Sequence, residues 1–292
     1  MRLDWDLGPA TSLVLLGGAV GLALALLGVF LAGHPRRGRR ASDEVAEALA
    51  QRTRLARFVR RRLDPAEATG LALTVALGLI FLAALGFGLV ADMVTSKTGL
   101  YRLDAAAAAW GARHATAAST RVLVWCTQLG GTLVVLAVAA LAGVLDWARR
   151  RRLAVLGFML TVVLGQNLIA NGVKLLVDRE RPPVPHLVAA TGFSFPSGHA
   201  AAAAATYSAL ALVLGRGRPW RVKAWLGTAA VAVVLVVSAS RVLLGVHWLT
   251  DVLGGAALGA AWFLVCSVAF GGTLLRFGAP AEPAGAGSRP RA

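Results

Sequence analysis

The sequence is short of the groups that keep a protein in water. Charged residues make up 15% of its 292 positions, with only 14 Asp and Glu, while 57% are hydrophobic. Mean hydropathy is +0.69. A soluble domain carries more charge and less apolar surface, so this balance excludes one and points to an integral membrane protein. Cysteine is scarce as well. Cys126 and Cys266 are the only two. Both fall in apolar stretches predicted at opposite faces of the membrane, so no disulfide is expected. Cys/His spacing of the metal-binding kind is missing, and no inverted repeat of the transporter kind is evident.

What is present is small, apolar and basic. The chain holds 33 Gly, abundant Ala and a net charge of +16. Small residues let membrane helices approach closely, which fits a helical bundle. A charge this positive is a possible nucleic-acid signal. Here the arginines cluster between apolar runs, where cytoplasmic loops would lie, so no nucleic acid is expected. Seven spans follow, at about 7–33, 66–94, 122–144, 153–177, 197–215, 224–244 and 247–275. Each is long enough to cross a bilayer. The first is too long for a signal peptide, has an acidic flank (Asp4, Asp6), and is followed by Arg36, Arg37, Arg39 and Arg40. The basic segment 36–62 reads equally as an amphipathic helix on the anionic inner leaflet or as a solvated linker helix. Residues 95–120 are expected as an external segment with a short interfacial helix carrying Leu103, Trp110 and His114. The domain division is an extra helix at 1–33, a basic segment at 34–65, a six-helix core at 66–275 and a disordered tail at 276–292. Gly255-Ala-Ala-Leu-Gly259 is a small-xxx-small pattern, expected to serve packing within the chain. The amino terminus is expected outside and the carboxyl terminus in the cytoplasm.

Alternation then puts three polar clusters at one, external, face. The first is Lys174-Leu-Leu-Val-Asp-Arg-Glu-Arg181-Pro182. The second is Pro196-Ser197-Gly198-His199. The third is Ser240-Arg241-Val-Leu-Leu-Gly-Val-His247-Trp-Leu-Thr-Asp251. A single cation at a span boundary reads as snorkelling. Lys174, Arg181 and Arg241 converging with two histidines suit a dianionic phosphate, the arginines offering bidentate forks. Ser197 is expected to cap the helix that follows. A helix amino terminus also presents unpaired N–H groups to an anion, and Gly198 lets backbone come close to it. His247 and Asp251, four apart, share a helix face. The carboxylate can hold the Nδ1 hydrogen and leave Nε2 as a nucleophile. His199 remains as a proton donor to a departing oxygen. His186 and Arg179 lie in the adjoining loop and are expected to be solvated.

These clusters resemble the signature of the type 2 phosphatidic acid phosphatase (PAP2) superfamily, K-x6-RP, PSGH and SR-x5-H-x3-D, with no substitution. The resemblance covers roughly the second to seventh spans. It implies an all-α, polytopic transmembrane helical bundle, a six-helix core to which the first span is an addition. It implies a lipid phosphatase in which His247 forms a phosphohistidine, Asp251 orients it and His199 protonates the leaving group. Lys174, Arg181, Ser197, Gly198 and Arg241 would hold the phosphate, with no metal and no other cofactor. Undecaprenyl diphosphate, phosphatidylglycerol phosphate and phosphatidic acid are all substrates within the family, and transfer of phosphate between lipids would use the same site. Ala-, Arg-, Gly- and Val-rich usage suggests a high-GC bacterium and thus its inner membrane, with the active site periplasmic. The competing class is a non-catalytic scaffold or transporter binding anionic lipid, for which an intact His247–Asp251 pair is unnecessary. A soluble haloperoxidase-like relative is opposed by the seven spans.

Overall fold

The computed structural model describes residues 68–151 and 153–274, with side chains at 75–151 and 153–271. The expected first span at 7–33, the basic segment 36–62 and the tail 276–292 lie outside them. The described chain is all helical, in the order α1 Ala68–Ser96, α2 Tyr101–His114, α3 Ala117–Gln128, α4 Thr132–Arg150, α5 Ala154–Val177, α6 Gly198–Gly215, α7 Trp220–Leu243 and α8 Leu249–Leu274. Six of these are long and apolar enough to cross a membrane: α1 (over Val75–Ser96), α4, α5, α6, α7 and α8 (over Leu249–Gly271). The outside of the bundle displays Phe81, Leu82, Leu133, Leu168 and Leu235. That is the surface a multi-pass membrane protein turns to lipid, where backbone polar groups must be satisfied within each helix.

Helix α6 is the axis. Over half of it is buried, more than any other span. The run Ala200–Ala201–Ala202–Ala203–Ala204–Ala205 is buried throughout, because neighbours press on it from several sides. It packs on α5, α7 and α8. The apolar core lies between α4, α5, α6 and α8, around Val135, Phe158, Met159, Val162, Ala205 and Cys266. Both cysteines are free. Gly255 and Gly259 on α8 explain the closeness of the α6–α8 approach. A Cβ on either would collide with a backbone oxygen of α6, that of Ser197 or of Ala201. The small-xxx-small pattern therefore serves packing within the chain.

The span expected at 122–144 is a correction. The chain breaks after Gln128, and the crossing helix is α4, 132–150. Leu129–Gly130–Gly131 form a turn between them, and a Cβ on Gly130 would sit 2.6 Å from the His199 carbonyl oxygen. An apolar sequence reads straight through this point. The close approach of the turn to α6 is what requires glycine and interrupts the helix. Helix α3 starts at a capping box in which the Thr116 side chain accepts from Ser119 N and the Ser119 side chain from Thr116 N. A short helix was expected within 95–120, and α2 is one: Leu103 and Trp110 are exposed, and His114 stacks on Trp110 at 4.5 Å between ring centroids.

Two ends of the bundle are chemically distinct. Arg216, just past α6, pairs with Asp146 of α4 at 2.6 Å, and Arg150 lies 3.4 Å from the same carboxylate. Both basic loops therefore meet at one end, while Ser197 and Gly198 begin α6 at the other, about 27 Å away at 1.5 Å per residue. If α8 is seated by its glycines, Gly259→Leu destabilises the folded protein by about 1–3 kcal/mol or more through overpacking. Gly78→Ala, at a site with open space around it, should leave the melting temperature in detergent unchanged. Equal melting of the two variants would refute the close-packing argument.

Candidate active site

Each of the eight residues singled out above stands at the end of the bundle away from the arginine loops. Lys174 is in the last turn of α5. Arg181 follows in the loop to α6. Ser197 occupies the N-cap position of α6, with Gly198 and His199 opening the helix. Arg241 is in the last turn of α7. His247 stands just before α8 and Asp251 in its first turn. Four helix ends and one loop are thus brought to one spot by the packing of α5, α7 and α8 around α6.

At the centre, Asp251 Oδ2 accepts from His247 Nδ1 at 3.3 Å and from the backbone N–H of Trp248 at 2.9 Å. His247 lies outside the helix rather than on its face, yet the i,i+4 pair forms, because the chain turns at Gly245 (φ +75°) to enter α8. The other ring nitrogen, Nε2, faces Arg181 Nη1 at 3.5 Å. Lys174, Arg181, Arg241 and His199 lie within electrostatic reach of one another. Lys174 Nζ stands over the start of α6, 3.9 Å from where a Gly198 Cβ would be. Arg181 is held in a fixed pose by carbonyl oxygens of Val246 (2.6 Å), Thr191 (2.8 Å) and Gly192 (3.0 Å). Arg241 is anchored by Thr127 Oγ1 of α3 at 3.2 Å.

Two electrostatic features bear on chemistry. Burial pushes the pKa of His247 down to about 4, against the Asp251 hydrogen bond and charge, which raise it, and with Arg241 and Arg181, which lower it further. The imidazole is therefore neutral near pH 7, with Nδ1–H on Asp251 and an unprotonated Nε2. Burial also lowers the pKa of Arg181, with Asp251 opposing. In addition, Ser197 Oγ and Arg241 Nε are buried with no hydrogen-bond partner. Ser197 was expected to cap α6 through its side chain, and it makes no such bond. Its N–H instead donates to the Asp251 carbonyl oxygen at 2.9 Å. Buried polar groups seldom stay unpaired, so both orphans fit a site built for an anion. Among the described residues, no three His, Cys, Asp or Glu side chains are grouped to hold a metal ion.

Arg179 is the second correction. It is not a solvated loop residue, since only 9% of its side chain is exposed. Its guanidinium bridges Asp251 Oδ1 and Asp104 Oδ2, each at 2.6 Å, and donates to Thr250 Oγ1 at 2.7 Å. It is flanked by the rings of Tyr101 and Trp248. Asp104 of α2 also accepts from Thr250 N (2.9 Å) and Thr250 Oγ1 (2.6 Å). The sequence reading passed over Asp104. Its one signal was a carboxylate inside an alanine-rich stretch of an interfacial helix. His186 is exposed, as expected.

With this geometry in view, residues 152–273 match the family model described as "PAP2 superfamily". Over this stretch the chain is similar to the PAP2 superfamily. The chain is 38% identical over 112 residues to phosphatidylglycerophosphatase B of Bacillus subtilis (strain 168), covering 37% of this chain and 55% of the relative. It is 37% identical over 131 residues to decaprenylphosphoryl-5-phosphoribose phosphatase of Mycobacterium tuberculosis, covering 42% of this chain and 64% of the relative. The chain thus spans between about half and two thirds of the length of these curated relatives. A crystal structure of a transmembrane PAP2 type phosphatidylglycerolphosphate phosphatase from Bacillus subtilis superposes with a TM-score of 0.60 at 29% identity, covering 64% of this chain and 94% of that one. The PAP2 match runs from the start of α5 into α8, so Asp104 and Thr127 lie outside it while contacting it.

Two outcomes follow. In nanodisc-embedded protein with isotope-labelled histidine, the His247 ring should titrate near pH 4 rather than near 6.5. Between those values the unfolded chain binds a proton that the folded chain refuses, so acidification through that window destabilises the fold. A midpoint near 6.5 would refute burial as the dominant influence. Arg179→Ala, which strands two buried carboxylates, should cost about 3–5 kcal/mol of stability, read as a lowered unfolding midpoint.

Proposed function

We propose that the protein is a membrane lipid phosphatase that cleaves a phosphate monoester or diphosphate from a lipid at the external membrane face. The observation that carries this reading is the pairing of a neutral, Asp251-held His247 with a ring of cations around its free Nε2. A site for binding alone would have no use for an oriented, unprotonated imidazole. For this reason the scaffold or transporter reading is set aside.

In the proposed mechanism, Lys174, Arg181 and Arg241 draw in the phosphate, with Ser197 Oγ and the N–H groups at the start of α6 completing the cradle. Nε2 of His247 attacks phosphorus. The N–P bond forms as the P–O bond to the lipid breaks, and His199 gives its proton to the departing oxygen. Water then attacks the phosphohistidine, His199 takes the water's proton, and inorganic phosphate leaves with His247 restored. Asp251 holds the ring and balances the positive charge it gains. The fixed cations stabilise charge on the equatorial oxygens of an in-line transition state. Arg179 and Asp104 act through Asp251 as positioning residues.

Phosphatidylglycerol phosphate is the leading substrate, on the strength of the Bacillus subtilis relatives named for it. A polyprenyl-linked phosphate, a class that includes undecaprenyl diphosphate, is the second reading, favoured by the mycobacterial relative. The external placement is supported by the arginine loops at the opposite end of the bundle, because basic loops stay in the cytoplasm. The core would be 66–275, with 1–33 as an added span and 36–62 resting on anionic inner-leaflet lipid.

The test is inorganic phosphate release by full-length protein in detergent, offered phosphatidylglycerol phosphate, undecaprenyl diphosphate and phosphatidic acid, each with EDTA. Release from one lipid that is EDTA-resistant and lost in His247→Ala is expected. Undiminished release by folded His247→Ala would overturn the mechanism. Asp104→Asn keeps one oxygen for the Thr250 N–H but sets an NH2 group in place of the oxygen that accepts from Arg179 and the Thr250 hydroxyl, and should lower kcat by up to about a hundredfold with little change in KM. A change confined to KM would deny it a positioning role.

A further inference from the structure

A second feature of the bundle lies at the end the phosphatase chemistry leaves unused. Between α6, α7, α8 and the end of α4 is a cavity of about 790 Å³. Its mouth carries Arg150, Arg216 and Lys223. Its inner wall includes Leu212, Val231 and Phe263. Two of these cations, Arg216 and Arg150, already share one carboxylate, Asp146. Among the described residues Lys223 is in no ion pair, and its stem packs near Gly215. The lining begins at Gly215 and Lys223, at the charged rim, and continues to Ser208 on α6 and Val231 on α7. That is seven or eight residues, or about 10–12 Å along the helices at 1.5 Å per residue. Gly227 opens the α7 wall, since a Cβ there would meet nothing within 4 Å. The cavity is therefore cationic at its mouth and mostly apolar within.

We propose that this cleft is a binding site for an anionic phospholipid of the leaflet opposite the active site. The phosphate sits at Lys223 and Arg216, and one acyl chain runs down past Gly227 between Leu212 and Phe263. Charge complementarity selects the occupant. A zwitterionic lipid brings its own cation to a mouth already positive. A segment from the basic part of this chain (36–62) would meet like charge. A free phosphate would leave the apolar wall uncovered, whereas juxtamembrane cations attract acidic headgroups strongly enough to matter. Such a lipid would tie α4, α6 and α7 together at the end where Arg216–Asp146 is the one ion pair between elements among the described residues.

Full-length protein is reconstituted in nanodiscs containing phosphatidylglycerol and phosphatidylcholine, released into mild detergent, and the retained lipid is read by native mass spectrometry. Retention of phosphatidylglycerol over phosphatidylcholine is expected. Lys223→Glu, which reverses charge at the mouth, and Gly227→Leu, which fills the cleft, should each reduce retention at least about fivefold. Both variants should keep wild-type phosphate release on a short-chain soluble lipid phosphate, which shows that they fold. Arg181→Ala, altered at the other end, should retain phosphatidylglycerol normally. Equal retention of the two lipids, unchanged retention in both cleft variants, loss in Arg181→Ala, or displacement by inorganic phosphate alone would each overturn the site.

Discussion

The carboxylate of Asp251, fully buried, is the constraint on which the rest of the site depends. One oxygen takes His247 and the Trp248 N–H, the other takes Arg179, and the backbone carbonyl of the same residue takes Ser197 N. Through that one residue the loop after α5, the start of α6 and the start of α8 are joined. An ionised carboxylate away from water is tolerable only when its lone pairs are all engaged. The engagement here also sets the tautomer of His247. The group that makes the fold costly at this point is therefore the group that makes the site chemically specific.

The bundle supplies what this carboxylate requires. Alanines on α6 and glycines on α8 bring the two helices close enough for Ser197 and Asp251 to bond through backbone. The turn at Leu129–Gly131 lets α3 lie against α7 and present Thr127 to Arg241. Helix α2 presses Asp104 against Arg179 from outside the PAP2 segment. The site is thus held by elements inside the family match and by two helices that precede it. This is a reason to treat α1–α4 as part of the working unit rather than as a frame.

Charge is distributed along the axis of α6 with a purpose at each end. At one end Lys174, Arg181 and Arg241 gather with no ion pair among the described residues, while the carboxylates of Asp104 and Asp251 are taken up by Arg179 and His247. Two buried polar atoms, Ser197 Oγ and Arg241 Nε, are left unpaired there. At the other end cations ring a cleft whose depth is apolar. The first arrangement suits a phosphate that reacts, the second a phosphate that stays.

The amino-acid sequence by itself determined the helical, membrane-spanning character, because the length and spacing of apolar runs are local properties. It also singled out the eight polar residues that the fold brings to one end, because three spaced clusters of polar groups between such runs have no cheap place in a membrane. Only the tertiary structure decided the break between α3 and α4, since the demand for glycine at 130 comes from the His199 carbonyl, nearly seventy positions away in the chain. It likewise decided that the Ser197 side chain makes no capping bond to its helix. It also turned Arg179 from an apparent loop charge into the bridge between Asp104 and Asp251. Those outcomes rest on partners distant in sequence, and a pairing across 72 or 75 residues leaves no periodicity or spacing to read.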